Sequence, residues 1–296
     1  MAQKPGQFLR DQLTVETKET LQAQKPTQTE PDVIEDFLSL NNKDFSYSNI
    51  QARQNKSHNR YSDILPWDNF IPKIEGLECS YCNASIWLHG GRNIIMAQAP
   101  LQNTLEQFWA VIYQHKVAAI VKLVENNPTL CFFYWPEVGQ SYEAGRYRIY
   151  CLEYKQTTPP IEFSYRILEI TDLKSSTENK HTAVMFDYPN RPENEFPDNC
   201  GTLFTIIQAA HKISQNIRKP ILVHCSNGIG RTGMFCAIQI TLSNVLDCLI
   251  DYRNARGSTN ILIDDLLLKQ LETQFSQFLP LPQVILSLRA SRHPKV

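Results

Sequence analysis

The stretch from Ile221 to Gly233, Ile-Leu-Val-His-Cys-Ser-Asn-Gly-Ile-Gly-Arg-Thr-Gly, restricts the folds open to this chain more than any other. Ile221, Leu222 and Val223 suit a buried strand ending at His224, and Thr232 to Ile250 has the apolar content of a buried helix opening near Arg231. The polar loop between them therefore sits at a helix N-terminus. Backbone N–H groups there lack intrahelical partners and the helix dipole is positive, which favours a bound anion and pushes a thiol toward thiolate. Cys225 is placed to be that thiolate. Arg231 can fork two N–H groups onto a tetrahedral oxyanion.

Three readings compete for this loop. A buried core cysteine beside a glycine turn explains neither Gly228 and Gly230 nor an arginine aimed at a helix start. Gly228-x-Gly230-x-x-Gly233 also matches the dinucleotide fingerprint, with Asp247 or Asp251 near the expected acidic position. That match opens too late in the chain for two mononucleotide-binding halves to follow. The third reading, a phosphate-cradling loop with a cysteine nucleophile, uses every polar residue present. Its spacing, His-Cys-x5-Arg-Thr, resembles the signature of the protein tyrosine phosphatase family.

Composition bounds the rest. At 296 residues and 42% hydrophobic content the chain can bury one large core. A formal net charge of −1 gives no reason to expect nucleic acid as a partner. Eight cysteines are scattered, and only Cys79 and Cys82 form a C-x2-C pair, with no second pair or histidines at zinc spacing. There is no signal peptide, no run of eighteen apolar residues and no lipidation motif. A soluble, cytoplasmic monomer with reduced thiols is therefore expected. Residues 1–31, rich in Gln, Lys, Thr, Glu and Pro, read as a flexible tail, residues 32–285 as the folded domain, and residues 286–296 as a short basic, solvated tail.

The resemblance extends well beyond the loop. Asn59-Arg60-Tyr61-Ser62-Asp63 resembles the family's phosphotyrosine-recognition loop. This implies that Tyr61 packs on the substrate ring and Asp63 holds the substrate's backbone amides. Tyr81-Cys-Asn-Ala-Ser85 and Ala97-Gln-Ala-Pro-Leu-Gln-Asn-Thr104 are similar to two scaffold segments of the family. Thr104 and Gln107 have capping-box spacing, and Leu105, Phe108, Trp109 and Ile112 share one helical face. Ala118–Leu123 and Cys131–Pro136 read as strands. The resemblance implies a single α/β domain of the cysteine-phosphatase fold, a highly twisted mixed sheet flanked by helices. It further implies hydrolysis of phosphotyrosine in proteins without metal or other cofactor. Cys225 would be the nucleophile, with phosphate held by Arg231 and the loop residues Ser226, Asn227, Gly228, Ile229 and Gly230. His224 would hold Cys225 in its low-pKa setting, and the Thr232 hydroxyl would assist the leaving sulfur.

Departures from the family pattern lie around the chemistry. Phe186-Asp-Tyr-Pro-Asn-Arg191-Pro-Glu193 resembles the acid loop, with Arg191 in place of its tryptophan and Glu193 in place of its aspartic acid; Phe196-Pro-Asp198 is a rival frame. The longer side chain of glutamate displaces the carboxyl on the order of 1 Å, a misplacement that can cost ~10²-fold. A slow enzyme is expected rather than a dead one. Gln114 takes the place of a family glutamate that pairs with the signature arginine. After Arg253-Asn-Ala-Arg256-Gly257, Ile261 and Asp265 stand where two water-positioning glutamines are expected, although Asp264 and Asp265 also suit helix N-capping. Such drift resembles that of single-domain phosphatases carried by bracoviruses of parasitoid wasps, which implies a host-cytoplasmic effector of blood-cell adhesion or phagocytosis. A pseudophosphatase that shields phosphoproteins is the alternative.

Overall fold

A computed structural model describes residues 47–89, 92–176, 179–189, 200–217, 219–256 and 281–293. The elements are α1 (Ile50–Gln54), β1 (Ala84–His89), β2 (Arg92–Gln98), α2 (Leu105–Gln114), β3 (Ala119–Lys122), β4 (Ser141–Ala144), β5 (Tyr147–Gln156), β6 (Ser164–Asp172), β7 (Lys180–Asp187), α3 (Cys200–Ile217), β8 (Ile221–Cys225), α4 (Gly230–Arg256) and α5 (Leu281–Ser291). One eight-stranded sheet runs β1-β2-β8-β3-β7-β6-β5-β4. Its central strands β2, β8, β3 and β7 are parallel, while β1 at one edge and β6, β5 and β4 toward the other pair antiparallel. This is the mixed α/β sheet that the sequence implied.

Parallel strands covered on both faces are apolar where they are covered, as at Ile94–Ala97 of β2, Ala119–Val121 of β3, Ala183–Phe186 of β7 and Ile221–Val223 of β8. Side chains alternate between faces. Ile221 and Val223 of β8, Val121 of β3 and Val184 and Phe186 of β7 meet Leu203, Ile206 and Ile207 of α3, Phe235 and Ile240 of α4, and Val284 and Leu288 of α5. Leu222, Ile120, Ala183 and Met185 point the other way, onto Phe108, Trp109 and Ile112 of α2. The strand expected at Ile221–Val223 and the helix expected from Thr232 both form, each longer than the sequence pattern suggested. No helix among the described residues is long and apolar enough to cross a membrane.

Several local expectations fail. Cys131–Pro136 joins no ladder, because its backbone is engaged elsewhere. Cys131 N–H donates to Asn127 O, Phe132 N–H donates to Pro100 O, and Tyr134 O accepts the Trp109 indole N–H at 3.2 Å. Thr104 is the N-cap of α2 but does not form a capping box. Its hydroxyl accepts Leu101 N–H at 2.8 Å in the preceding 3-10 turn, and Gln107 Nε2 reaches back to Cys79 O. Of the basic C-terminal segment expected to be solvated from residue 286, residues 286–291 are the second half of α5. Val284 and Leu288 bury one helical face, Ser287 Oγ accepts the Trp87 indole N–H, and Arg292 is fully buried. The flexible-tail expectation for residues 1–31 lies outside the described residues.

The sheet also buries charge. Lys122, at the end of β3, is fully buried and donates to Asp187 Oδ1 at 2.7 Å, to Val124 O and to Asn126 Oδ1. Arg166 Nη1 of β6 lies 3.8 Å from the other Asp187 oxygen. Asp187 thus ends β7 between two cations, and its loss would strand a desolvated charge. Asp187→Ala should destabilise the protein by about 3–5 kcal/mol. Adding Lys122→Met should recover a substantial part of that loss, as read from urea unfolding midpoints of the single and double variants.

Candidate active site

β8 delivers Cys225 at its last residue, and α4 begins five residues later at Gly230. The intervening turn must double back tightly against β2. Gly228 adopts φ +72°, and a Cβ there would lie 2.3 Å from Ala97 O, so only glycine fits. The turn is anchored on both sides: Ala99 N–H donates to Ser226 O, and Gly233 N–H donates to Ile229 O as α4 starts. Cys225, Ser226, Ile229, Arg231 and Thr232 are all buried, and Gly230 is exposed at the helix start. The loop therefore presents the first amides of a 27-residue helix beside a cysteine sulfur and an arginine. That arrangement suits an oxyanion and places a nucleophile against it. The Thr232 hydroxyl, on the first turn, has no hydrogen-bond partner among the described residues.

A second wall comes from the chain before β1. Tyr61, 165 residues away in sequence, sets its hydroxyl 2.8 Å from Ser226 Oγ. The turn carrying it is fixed from behind. Arg60 Nη1 and Nη2 donate to Thr129 O and Pro100 O, Arg60 N–H donates to Gln98 Oε1, and Gln98 Nε2 donates to His58 O. Asp63 is exposed two residues further on, at the rim. Tyr61 and the 225–231 loop are thus brought together.

His224 plays a different part from the one expected. It is fully buried, its Nε2 is 2.7 Å from Tyr134 Oη, and its Nδ1 is 3.3 Å from Cys225 O. Burial, then the nearby cation Lys122, lowers its pKa to about 3, with Arg60 and Arg231 adding smaller contributions. The imidazole is therefore neutral at physiological pH. A carbonyl can only accept, so Nδ1 carries the proton and Nε2 accepts from Tyr134, whose phenol burial holds well above its ordinary value. His224 supplies no positive charge to the thiol; it orients the Cys225 carbonyl.

Arg292 lay in the segment read as a solvated tail, and is the clearest omission. From just beyond α5 its Nε and Nη2 donate to Gly228 O and Asn227 O at 3.3 and 3.2 Å, and Nη2 donates to Asn83 Oδ1 at 2.6 Å. Two carbonyls of the loop are thereby satisfied. Burial lowers the Arg292 pKa to about 10, which leaves it charged. An R-x-x-R pair preceded by apolar residues at helical spacing was the only available sequence signal.

Gln114 does not face Arg231. Its amide bonds Glu75 N–H and O at 2.9 Å each and the Tyr147 hydroxyl at 3.1 Å, at the C-terminal end of α2. Glu193, Asp198 and Arg191 lie outside the described residues, as do Ile261 and Asp265. The segment Arg253–Arg256 forms the last turn of α4, whose length carries it about 37 Å from Arg231.

Two measurements check this geometry. Because His224 is neutral when folded and has its ordinary pKa when unfolded, it contributes stability above about pH 6.5 that is lost as pH falls toward its folded value. Between about pH 6 and 4.5, His224→Asn should remove roughly 1 kcal/mol per pH unit from the slope of unfolding free energy. Arg292→Met should destabilise by about 2–4 kcal/mol, since three buried carbonyl oxygens lose a charged donor.

Comparisons with known proteins agree with the geometry. Residues 55–255 match the family model described as protein-tyrosine phosphatase. The chain is 31% identical over 231 residues to tyrosine-protein phosphatase 1 of Caenorhabditis elegans, covering 74% of this chain and 22% of that protein. It is 34% identical over 212 residues to the receptor-type tyrosine-protein phosphatase eta of Gallus gallus, covering 67% of this chain and 15% of that protein. It is 27% identical over 244 residues to human tyrosine-protein phosphatase non-receptor type 20, covering 76% and 56% respectively. The chain thus spans only part of the length of these relatives. With a match over more than half its residues, and with that match including the buried Cys225 and Arg231 at a helix start, the chain belongs to the protein-tyrosine phosphatase family.

Proposed function

We propose that this protein hydrolyses phosphotyrosine in proteins through a phosphocysteine intermediate. The observation that carries the reading is the 225–231 loop, where a cysteine and an arginine are buried at the opening of α4 with Tyr61 hydrogen-bonded to Ser226 on its rim. The Cys225 sulfur attacks phosphorus while Arg231 and the loop amides hold the equatorial oxygens. The phosphorus–oxygen bond to tyrosine breaks, and Glu193, assigned from sequence alone, protonates the leaving phenolate. Water then attacks phosphorus and gives its proton to the Glu193 carboxylate. The phosphorus–sulfur bond breaks, and the Thr232 hydroxyl donates to the departing sulfur. Burial supports the choice of substrate, because a buried Cys225 sulfur beside Tyr61 is reached by an aryl phosphate more readily than by the shorter phosphoserine.

Turnover is slow in this reading, because general acid help worth roughly 10²–10⁴ depends on a glutamate where the family pattern has an aspartic acid. The setting we propose is cytoplasmic, in line with the bracovirus-like drift, where the enzyme would lower adhesion or phagocytosis of host blood cells. Expression of wild type and Cys225→Ser in cultured haemocytes should then reduce adhesion only with the former.

Cys225→Ser should abolish turnover of a phosphotyrosine peptide yet retain peptide binding. Equal rates for the two proteins would remove the catalytic reading, and binding without turnover in wild type would establish the pseudophosphatase alternative. Glu193→Ala should slow hydrolysis of phosphotyrosine far more than that of an aryl phosphate with an acidic phenol, while Asp198→Ala changes neither. Reversed sensitivities would assign the acid to Asp198.

A further inference from the structure

The end of the sheet away from Cys225 carries a second concentration of positive charge. β3 and β8 run parallel with Ala119 opposite Ile221, and Ala118 N–H donates to Pro220 O at 2.8 Å. This register brings Lys116, just before β3, and Lys219, just before β8, to the same corner of the molecule. Four residue steps along β8, about 13 Å, separate that corner from Cys225. A cavity of about 620 Å³ opens beside Lys116, with Lys73 and Arg146 also on its wall and Glu75 its one acidic lining residue among those described. That volume lies in the usual range for small-molecule sites.

The frame of the cavity is complete without a ligand. Gln114 bonds both Glu75 N–H and Glu75 O, His115 Nε2 donates to Lys73 O, and Arg146 Nη1 donates to Gly76 O, each at 2.9 Å. Arg146 is also tied to Asp172 through Nε and Nη2, which offsets its charge. The lysines differ. Among the described residues, none of Lys73, Lys116 and Lys219 has a carboxylate partner. Lys116 occupies the position after the C-cap of α2 with φ +56°, its N–H donating to Tyr113 O while Val117 N–H donates to Ile112 O. Glycine is usual there, because a Cβ strains a left-handed backbone. The ammonium is nevertheless fixed, 4.0 Å from the Tyr113 ring centroid. Burial and then the charge of Lys219 lower the Lys116 pKa, with Asp172 acting in the opposite sense. The helix dipole favours one cation at this end of α2 but accounts for neither Lys73 nor Lys219.

The choice of ligand follows from what the cavity leaves unused. The backbone at residues 73, 75 and 76 already has partners, so an extended peptide would find few main-chain contacts there. Ammonium groups spread around an open cavity suit a compact ligand with several negative groups, and one orthophosphate would reach few of them. We propose that this corner is a binding site for a small polyphosphate, held by Lys73, Lys116 and Lys219 and separate from the 225–231 loop. A bridging run of phosphates balances lysines that otherwise repel one another. Inorganic polyphosphates and polyphosphorylated polyols share this chemistry. The inference does not depend on the phosphatase reaction.

Limited acetylation of the full chain with the uncharged N-hydroxysuccinimide ester of acetic acid, read by mass spectrometry, reports each lysine separately. Tripolyphosphate and inositol hexakisphosphate are the two probes, and the one effective at lower concentration identifies the linear or the cyclic source. At saturation, Lys73, Lys116 and Lys219 should each react about threefold or more slowly, while exposed Lys56 and Lys155 keep their rates. In Lys116→Asn, half-protection of Lys73 and Lys219 should need about three- to tenfold more probe, the range for loss of one charged contact. Asparagine tolerates the positive φ, so the turn is kept. Lys73→Gln should shift the protection of Lys116 in the same direction, and Glu75→Gln should lower the concentration required. Protection that is absent, or equal at Lys56 and Lys155, would overturn the proposal, as would unchanged half-protection in both lysine variants. Oligoglutamate acting at lower concentration than either probe would assign the cavity to an acidic peptide and overturn it as well.

Discussion

The near-contact between Gly228 and the Ala97 carbonyl sets the rest of the structure. β8 and β2 are parallel neighbours, so a chain leaving β8 at Cys225 and entering α4 at Gly230 must turn within the width of one strand. Such a turn leaves carbonyls on its outside and amides on its inside. Both sets are buried, and buried polar backbone must be paired. Arg292 and Ala99 N–H engage the outer carbonyls. On the other side of the turn, Ile229 N–H donates to Asn227 Oδ1.

Charge buried in the sheet follows from the same site. Lys122 pairs with His224 across β3 and β8, and with Asp187 across β3 and β7. Its ammonium depresses the imidazole pKa, its hydrogen bond ties down the last residue of β7, and its neighbour Trp135 lies 5.3 Å from the cation. A neutral His224 then completes a chain from the Tyr134 hydroxyl through both ring nitrogens to the Cys225 carbonyl. Every member of that chain has a partner, which is the condition under which a buried polar network rigidifies a core.

The signature loop was legible because its residue types have few other uses together, and the β8 and α4 that flank it follow from a short apolar run and a long apolar period. The central strands were legible for the same reason. Cys131–Pro136 was not, since an aromatic run looks like a strand whether its carbonyls go to a ladder or to an indole. Gln114 was misplaced by its number in the chain. An α-helix turns each side chain by a fixed angle, and Gln114 falls toward Glu75 and Tyr147, away from the loop.

What the sequence determined by itself was local: a strand, a phosphate-loop spacing, a helix, and the residue types able to hold an oxyanion. It also determined the family, because several short motifs occur in one order. Only the tertiary structure decided which distant residues complete the site. Tyr61 reaches Ser226, Tyr134 reaches His224 and Arg292 reaches the loop carbonyls across separations of 165, 90 and about 65 residues. Such contacts depend on strand order and on the stacking of α5 against β1, which no spacing within a motif encodes. The protonation of His224 belongs with them. An imidazole is neutral or charged according to its burial and the cations around it, and both are properties of the packed sheet.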